Sequence, residues 1–243
     1  MFDYTGRKAL ITGAGQGMGF GIAKALAAQG AYVYINDLYE DRAQAAAKQL
    51  TDTGLKVTPL AGDITDASVR EDMAKTAGTI DILVNNAGVP ISMPTSFAHA
   101  DKLSDEAYET QMALNFHAVR GLCRLLLPAM RAQNFGRVLI VTSESHRLGV
   151  SMGLSHYTAA KAAALGYMRA LAAEIAREGV TVNALSLGAM NNFEGHERAA
   201  AHTLIGRAGT PEDVGAAAVY LCSAEAAWMT GQTVPLNGGA STA

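Results

Sequence analysis

Tyr157 and Lys161 stand four positions apart in "HYTAAK", so on a helix they share one face. A phenol with an ordinary pKa near 10 is a poor base at neutral pH. An ammonium about 5 Å away, at an effective dielectric of about 20, contributes roughly 3 kcal/mol, or about two pK units, toward the phenolate. A phenol so tuned could take a proton from an alcohol or return one to a carbonyl. Taken alone, the pair would be a half-exposed tyrosine beside a lysine stem. Its setting, "VTSESHRLGVSMGLSHYTAAK", gives it weight, because Ser143 and Ser145 each offer a hydroxyl to hold the reacting oxygen and Glu144, His146 and Arg147 add charge.

The elements that must position these groups follow from periodicity. Short apolar runs alternate with helical patterns from end to end: "KALIT", "AYVYIN", "KVTPLA", "IDILVNN", "RVLIVT", "VTVNAL" and "QTVPL" read as strands. Between them lie helical stretches, including a long one over 104–132 and another over 155–178. Strands and helices in alternation imply right-handed crossovers, a parallel sheet and helices on both faces. The expected fold class is α/β: a doubly wound Rossmann fold with a seven-stranded parallel sheet, one domain over residues 1–243. In such a sheet ligands bind beyond the carboxyl ends of the strands, near the point where strand order reverses.

"TGAGQGMG" follows the first strand and opens the first helix. Gly13, Gly17 and Gly19 permit a tight turn and close backbone approach, and the helix offers free N–H groups and a dipole to a pyrophosphate. Asp37 ends the second strand, where a carboxylate can accept both ribose hydroxyls. A 2′-phosphate there would meet like charge, a penalty of about 1 to 4 kcal/mol, and the glycine loop holds no basic residue. NAD is therefore expected over NADP. Asp63 in "GDIT" and "NNAG" (85–88) fall at successive strand ends, where the sheet would meet adenine and ribose.

Composition excludes other classes. The 243 residues carry a net charge of -3 and no basic run, which gives no electrostatic footprint for nucleic acid or an anionic membrane. No window approaches the length of an apolar span, no leader pattern opens the chain, and a cytoplasmic location is expected. Cys123 and Cys222 read as buried reduced thiols. No His/Cys set has metal-ligand spacing, so no catalytic metal is expected.

Taken in order, "TGAGQGMG", Asp37, "GDI", "NNAG", Asn115 in "MALNFHAV", a serine after the fifth strand, "YTAAK" and the late "GRAGTPEDVGAAAVYLCSAEAAWMTGQTVPLNGG" resemble the short-chain dehydrogenase/reductase family, single-domain type, along essentially the whole chain. The resemblance implies an oxidoreductase that interconverts a secondary alcohol and a ketone by hydride transfer to or from NAD. Tyr157 is then the general acid/base, Lys161 also binds the nicotinamide ribose, Asn115 holds a relay water, and a serine positions the substrate oxygen. It places cofactor against Gly13, Gly15, Gln16, Gly17, Met18 and Gly19, against Asp37, Asp63 and Ile64, and against Asn86, Ala87 and Gly88. Tyr157, Lys161, Gly188, Met190 and Asn192 complete that set. A homotetramer built on the long helices and the last helix and strand is also implied.

Three departures from the family pattern bear on the site. The usual count back from the tyrosine lands on Glu144; aligning from the strand instead favours Ser143 over Ser145. Leu187 replaces a proline in "SLGAM", and Asn192 stands where a threonine normally meets the carboxamide. A substrate loop is expected at about 189–205, with Phe193, Glu194, His196, Arg198 and His202 in it. Glu144, His146 and Arg147 are candidate substrate contacts, and Arg147 or Arg198 could anchor an anion. The rival readings are a lyase or epimerase on the same scaffold and a non-catalytic nucleotide sensor.

Overall fold

The computed structural model describes residues 2–88, 97–149, 151–192 and 195–242. Strands β1 (Lys8–Ile11), β2 (Tyr32–Asp37), β3 (Val57–Ala61), β4 (Ile82–Asn85), β5 (Gly136–Ser143), β6 (Val180–Leu187) and β7 (Thr233–Leu236) form one sheet in the order β3-β2-β1-β4-β5-β6-β7. Every neighbouring pair is parallel, as the alternation of strands and helices requires. Period-two alternation sends Ala9, Ile11, Ile82, Val84, Leu139 and Val141 to one face and Leu10, Leu83, Val138 and Ile140 to the other. Each face therefore needs its own cover of helices.

Helices α1 (Gly17–Ala28) and α2 (Glu40–Thr51) cover the first face. Helix α3 (Ala67–Ala77) lies on the second, and α4 (Asp105–Met112) follows β4. Helices α5 (Ala118–Ala132) and α6 (Ser155–Ile175) complete the second face; the short α7 (His196–Ala200) precedes α8 (Pro211–Leu221), which returns to the first. Helices α1 and α8 meet backbone to backbone, because a Cβ on Gly21 would stand 2.3 Å from the Pro211 carbonyl oxygen and one on Gly215 2.8 Å from that of Gly21. No helix among the described residues is long and apolar enough to cross a membrane.

Two boundaries differ from expectation. The helix expected over 104–132 is interrupted by a π turn at Ala113–His117, closed by the Ala118 N–H on the Ala113 carbonyl. Such turns favour functional positions, and this one contains Asn115. The α6 helix stops at Ile175, and Ala176–Glu178 form a 3₁₀ turn ending on Gly179 at φ 73.

The chain leaves β1 for β2 and β3 and returns beside β1 at β4. That reversal opens a crevice above the carboxyl ends of β1 and β4.

Candidate active site

A cleft of about 930 Å³ runs along the carboxyl ends of the strands. At its β1–β4 end the two loops touch: Gly13 has φ +61, and a Cβ there would stand 2.8 Å from the Ala87 Cα. The Thr12 hydroxyl accepts from the Asn86 and Ala87 N–H groups, at 3.0 Å each, while Asn86 Nδ2 donates to the Thr12 and Gly13 carbonyls. Asn86 thus shapes the glycine loop from across the crevice. The N-terminus of α1 has no side-chain cap and no acidic residue in its first turn, whereas Asp66, Ser104 and Thr210 cap α3, α4 and α8. Uncapped N–H groups and a positive dipole end beside the cleft fit a pyrophosphate.

Further along, Asp37 is buried at the end of β2. Its Oδ2 accepts from the Gly15 N–H at 3.2 Å and its Oδ1 from the Tyr39 N–H at 3.1 Å. Arg42, on α2, brings Nη2 within 2.9 Å of Oδ1 and lies over the Tyr39 ring, 4.2 Å from its centroid. Both residues line the cleft, so a cation stands at the ribose end that the sequence reading placed only under a carboxylate. Asp63 closes its own turn by accepting from the Thr65 N–H and hydroxyl, at 2.8 Å each.

Gly13, Gln16, Gly17, Met18, Gly19, Asp37, Asp63, Ile64, Asn86, Ala87, Gly88, Gly188, Met190 and Asn192 all line this cleft; Gly15 does not, its N–H being spent on Asp37. Where the family proline is replaced, β6 runs through Leu187, which pairs with Leu236, and the Gly188 N–H donates to the Leu236 carbonyl at 3.0 Å. The sheet thus holds the turn that the proline would have stiffened.

Ser143, Tyr157 and Lys161 line the opposite end of the same cleft. Ser143 is the last residue of β5, and its hydroxyl oxygen accepts from the Ser145 N–H at 3.2 Å. With that acceptor side engaged, its O–H is free to donate into the cleft, where it meets the Tyr157 phenol. Ser145 lies outside the cleft lining, with its hydroxyl buried. Lys161, one turn along α6, is buried and donates to the Val141 carbonyl at 2.9 Å, its Nζ 5.8 Å from the Tyr157 ring centroid. Asn115 stands behind Gly88, outside the lining.

The electrostatics differ from the reading by spacing. Burial pushes the Tyr157 phenol up to about 12, against a smaller pull from the Ser143 hydroxyl. Burial also pushes the Lys161 ammonium down to about 8. The expected lowering of the phenol by its neighbour is outweighed because the low-dielectric setting penalises both charged forms. At neutral pH the phenol holds its proton, which suits it to donate to a carbonyl.

Glu144 and Arg147 do not line the cleft, contrary to their expected place against substrate. The buried Glu144 carboxylate accepts from Arg147 Nη2 at 2.6 Å and Asn237 Nδ2 at 2.8 Å. Arg147 also donates to the Ser241 hydroxyl at 2.8 Å, so the pair ties the chain after β5 to the C-terminal segment. Burial opposes ionisation of Glu144, but the hydroxyl of Ser186, Arg147 and Asn237 together hold its pKa below the usual value. His146 is spent on the Ser143 carbonyl, Nδ1 at 2.7 Å, and Arg198 is exposed on α7. Phe193 and Glu194 lie outside the described residues.

Known proteins decide the family. The family profile described as "Enoyl-(Acyl carrier protein) reductase" matches residues 13–241. The chain belongs to the short-chain dehydrogenase/reductase family. It is 36% identical over 249 residues to the nodulation protein G of Rhizobium sp. (strain N33), covering 98% of each chain. Among solved structures it is similar to a 3-oxoacyl-[acyl-carrier protein] reductase from Brucella melitensis with bound NAD (28% identity, TM-score 0.93, covering 99% of this chain and 93% of that one). It is also similar to a gluconate 5-dehydrogenase from Burkholderia cenocepacia in complex with NADP and tartrate (28% identity, TM-score 0.89, covering 100% of this chain and 98% of that one). The protein is thus a short-chain dehydrogenase/reductase, an NAD(P)-dependent oxidoreductase acting on CH–OH and ketone groups. In this short-chain dehydrogenase/reductase the lengthened stretch from Ser143 to Tyr157 opens with a 3₁₀ turn, Glu144–His146. It passes through Gly153 at φ 68, whose carbonyl accepts from the Ala98 N–H at 3.3 Å.

Proposed function

We propose that this enzyme interconverts a secondary alcohol and a ketone with NAD, using Tyr157 as the general acid and base. The observation that carries the reading is that the Ser143 hydroxyl, the Tyr157 phenol and Lys161 share one end of a cleft whose other end fits a dinucleotide. A bound nicotinamide supplies the hydride in reduction and takes it up in oxidation. Tyr157, protonated at neutral pH, gives its proton to the carbonyl oxygen in reduction and removes the alcohol proton in reverse. Ser143 donates a hydrogen bond to the same oxygen and stabilises the charge that develops on it. Lys161 holds positive charge beside the phenol and binds ribose; Asn115 serves the proton relay behind it.

Asp37 supports NAD, accepting from the ribose hydroxyls where a 2′-phosphate would be repelled, and Arg42 weakens that repulsion. A homotetramer in the cytoplasm is part of the proposal; Tyr220 and Trp228, exposed in and after α8 ahead of edge strand β7, are apolar surface that a subunit interface there would cover. The segment 189–205 forms the substrate loop in this reading.

The test is absorbance at the reduced-nicotinamide band with NAD and NADP over a panel of 3-oxoacyl thioesters, gluconate and related sugar acids, and cyclic alcohols and ketones. Turnover with NAD in at least one class is the expected result. Conversion without net reduction would point to the lyase reading, and NADH binding without any turnover to the sensor.

A further inference from the structure

Beside the cleft lies a second cavity of about 80 Å³, between the start of the substrate segment, the N-terminus of α8 and the chain after β7. Ala189, Met190, Ile205 and Leu236 give it apolar walls. Its polar neighbours are already engaged. The Thr203 hydroxyl donates to the Ala200 carbonyl at 2.8 Å and accepts from the Gly206 N–H at 3.1 Å. Arg207 donates to both oxygens of Asp213, at 2.6 and 2.9 Å, and Asp213 also accepts from the Thr210 N–H at 2.9 Å. Asn237 donates from Nδ2 to Glu144, and its Oδ1 accepts from the Gly239 N–H at 2.9 Å. A carboxylate or hydroxyl entering here would have to break one of these pairs, whereas an apolar group would not.

Met190 joins the two spaces, because it lines both, with Gly188 and Asn192 beside it on the cleft side. Its thioether lies over Gly209, where a Cβ would stand 2.6 Å from Sδ and 2.8 Å from Cε. Glycine at that position leaves the thioether its seat. An unbranched thioether with three rotatable bonds adapts to a guest without losing a hydrogen bond.

We infer that this cavity is a subsite for a short, straight alkyl chain on the substrate, with Met190 as the movable wall past which the chain enters. The inference rests on the proposed ketone reduction and narrows its substrate class to uncharged ketones carrying such a chain. The size sets a limit. At about 80 Å³ the cavity has roughly half the volume of one that takes benzene, which leaves room for about three carbons. Each methylene that enters should raise kcat/KM about fourfold, and the rise should level off after about three.

The test measures kcat/KM with NADH for the straight-chain 2-ketones from 2-butanone to 2-decanone, alongside 5-ketogluconate. Wild type is compared with Ala189→Leu, which fills the cavity, and Ile205→Ser, which makes its mouth polar. NADH affinity is followed by fluorescence titration in each. Expected in the wild type is a rise of at least tenfold along the series, followed by a plateau. In Ala189→Leu the rise should shrink to less than threefold, with NADH affinity unchanged. Ile205 is 66% exposed, so Ile205→Ser keeps the outcome readable if Ala189→Leu fails to fold, and it should cut the rise at least threefold. A flat wild-type series, a rise that survives both substitutions, or reduction of 5-ketogluconate faster than of every 2-ketone would overturn the inference while leaving ketone reduction intact. No reduction of any carbonyl compound, in this series or the wider panel, would overturn the proposed function and the inference with it.

Discussion

Arg42 pairs with Asp37 at 2.9 Å, on the wall of the cleft where the adenosine ribose would sit. A lone carboxylate would disfavour a 2′-phosphate by about 1 to 4 kcal/mol. A guanidinium beside it offsets part of that and offers donors of its own. Arg42→Ala is therefore expected to lower kcat/KM with NADP about tenfold and with NAD less than threefold. Paired steady-state assays with the two cofactors check this, and equal losses with both would remove Arg42 from cofactor choice.

The pH dependence of reduction should report Lys161. Its ammonium, lowered by burial to about 8, gives up its proton while Tyr157, at about 12, still holds its own. In the reductive direction kcat/KM is expected to fall as pH rises through about 8, and Lys161→Arg to move that break upward, because a guanidinium keeps its charge. The linked stability effect has a definite sign. The folded state binds the Lys161 proton less tightly than the unfolded chain, so this group makes the fold more stable as pH rises from about 8 toward 10.5.

Ser143 and Ser145 should separate cleanly under alanine substitution. Ser143→Ala removes a donor aimed at the substrate oxygen and is expected to cost a factor of about 10² to 10³ in kcat. Ser145→Ala should change kcat less than threefold, its hydroxyl being outside the cleft lining. A slow Ser145→Ala with a fast Ser143→Ala would reverse the assignment.

Glu144 should matter to stability rather than to substrate affinity. Glu144→Ala removes the short acceptor of Asn237 Nδ2, leaving it the longer contacts to Ser241, and leaves Arg147 without its carboxylate, at a cost of about 2 to 4 kcal/mol. Thermal unfolding should occur about 5 to 15 °C lower, with the substrate KM changed less than threefold. The folded-state pKa of Glu144 lies below the ordinary value, so its contribution is present above the unfolded carboxylate's pKa and lost as pH falls through the folded one. A calorimetric series from neutral to acid pH should show the gap between wild type and Glu144→Gln narrowing.

The sheet was legible because the inner strands are apolar on both faces and bounded by turn residues, and because the crossovers carry their own helical period. Tyr157 and Lys161 were legible because α6 is regular and their spacing alone puts them on one face. The π turn around Asn115 was not, since one extra residue within a turn barely disturbs the apolar pattern of a long helix. Arg42 reads in "EDRAQ" as one more charge on a solvated helix; only the bend between β2 and α2 carries it back over Tyr39 to Asp37. Glu144 looked like a substrate contact because one of its partners, Asn237, is 93 residues away along the chain. Local pattern reports the element a residue belongs to, and distant pairing decides which way a polar side chain within it turns.

The most direct measurement is single-turnover hydride transfer in Tyr157→Phe, with NADH affinity followed in parallel. The phenyl ring keeps its place beside Lys161 and removes only the phenol hydroxyl. NADH is expected to bind with near-native affinity while the transfer rate to a ketone falls by a factor between about 10² and 10⁴. Transfer within tenfold of wild type would contradict it.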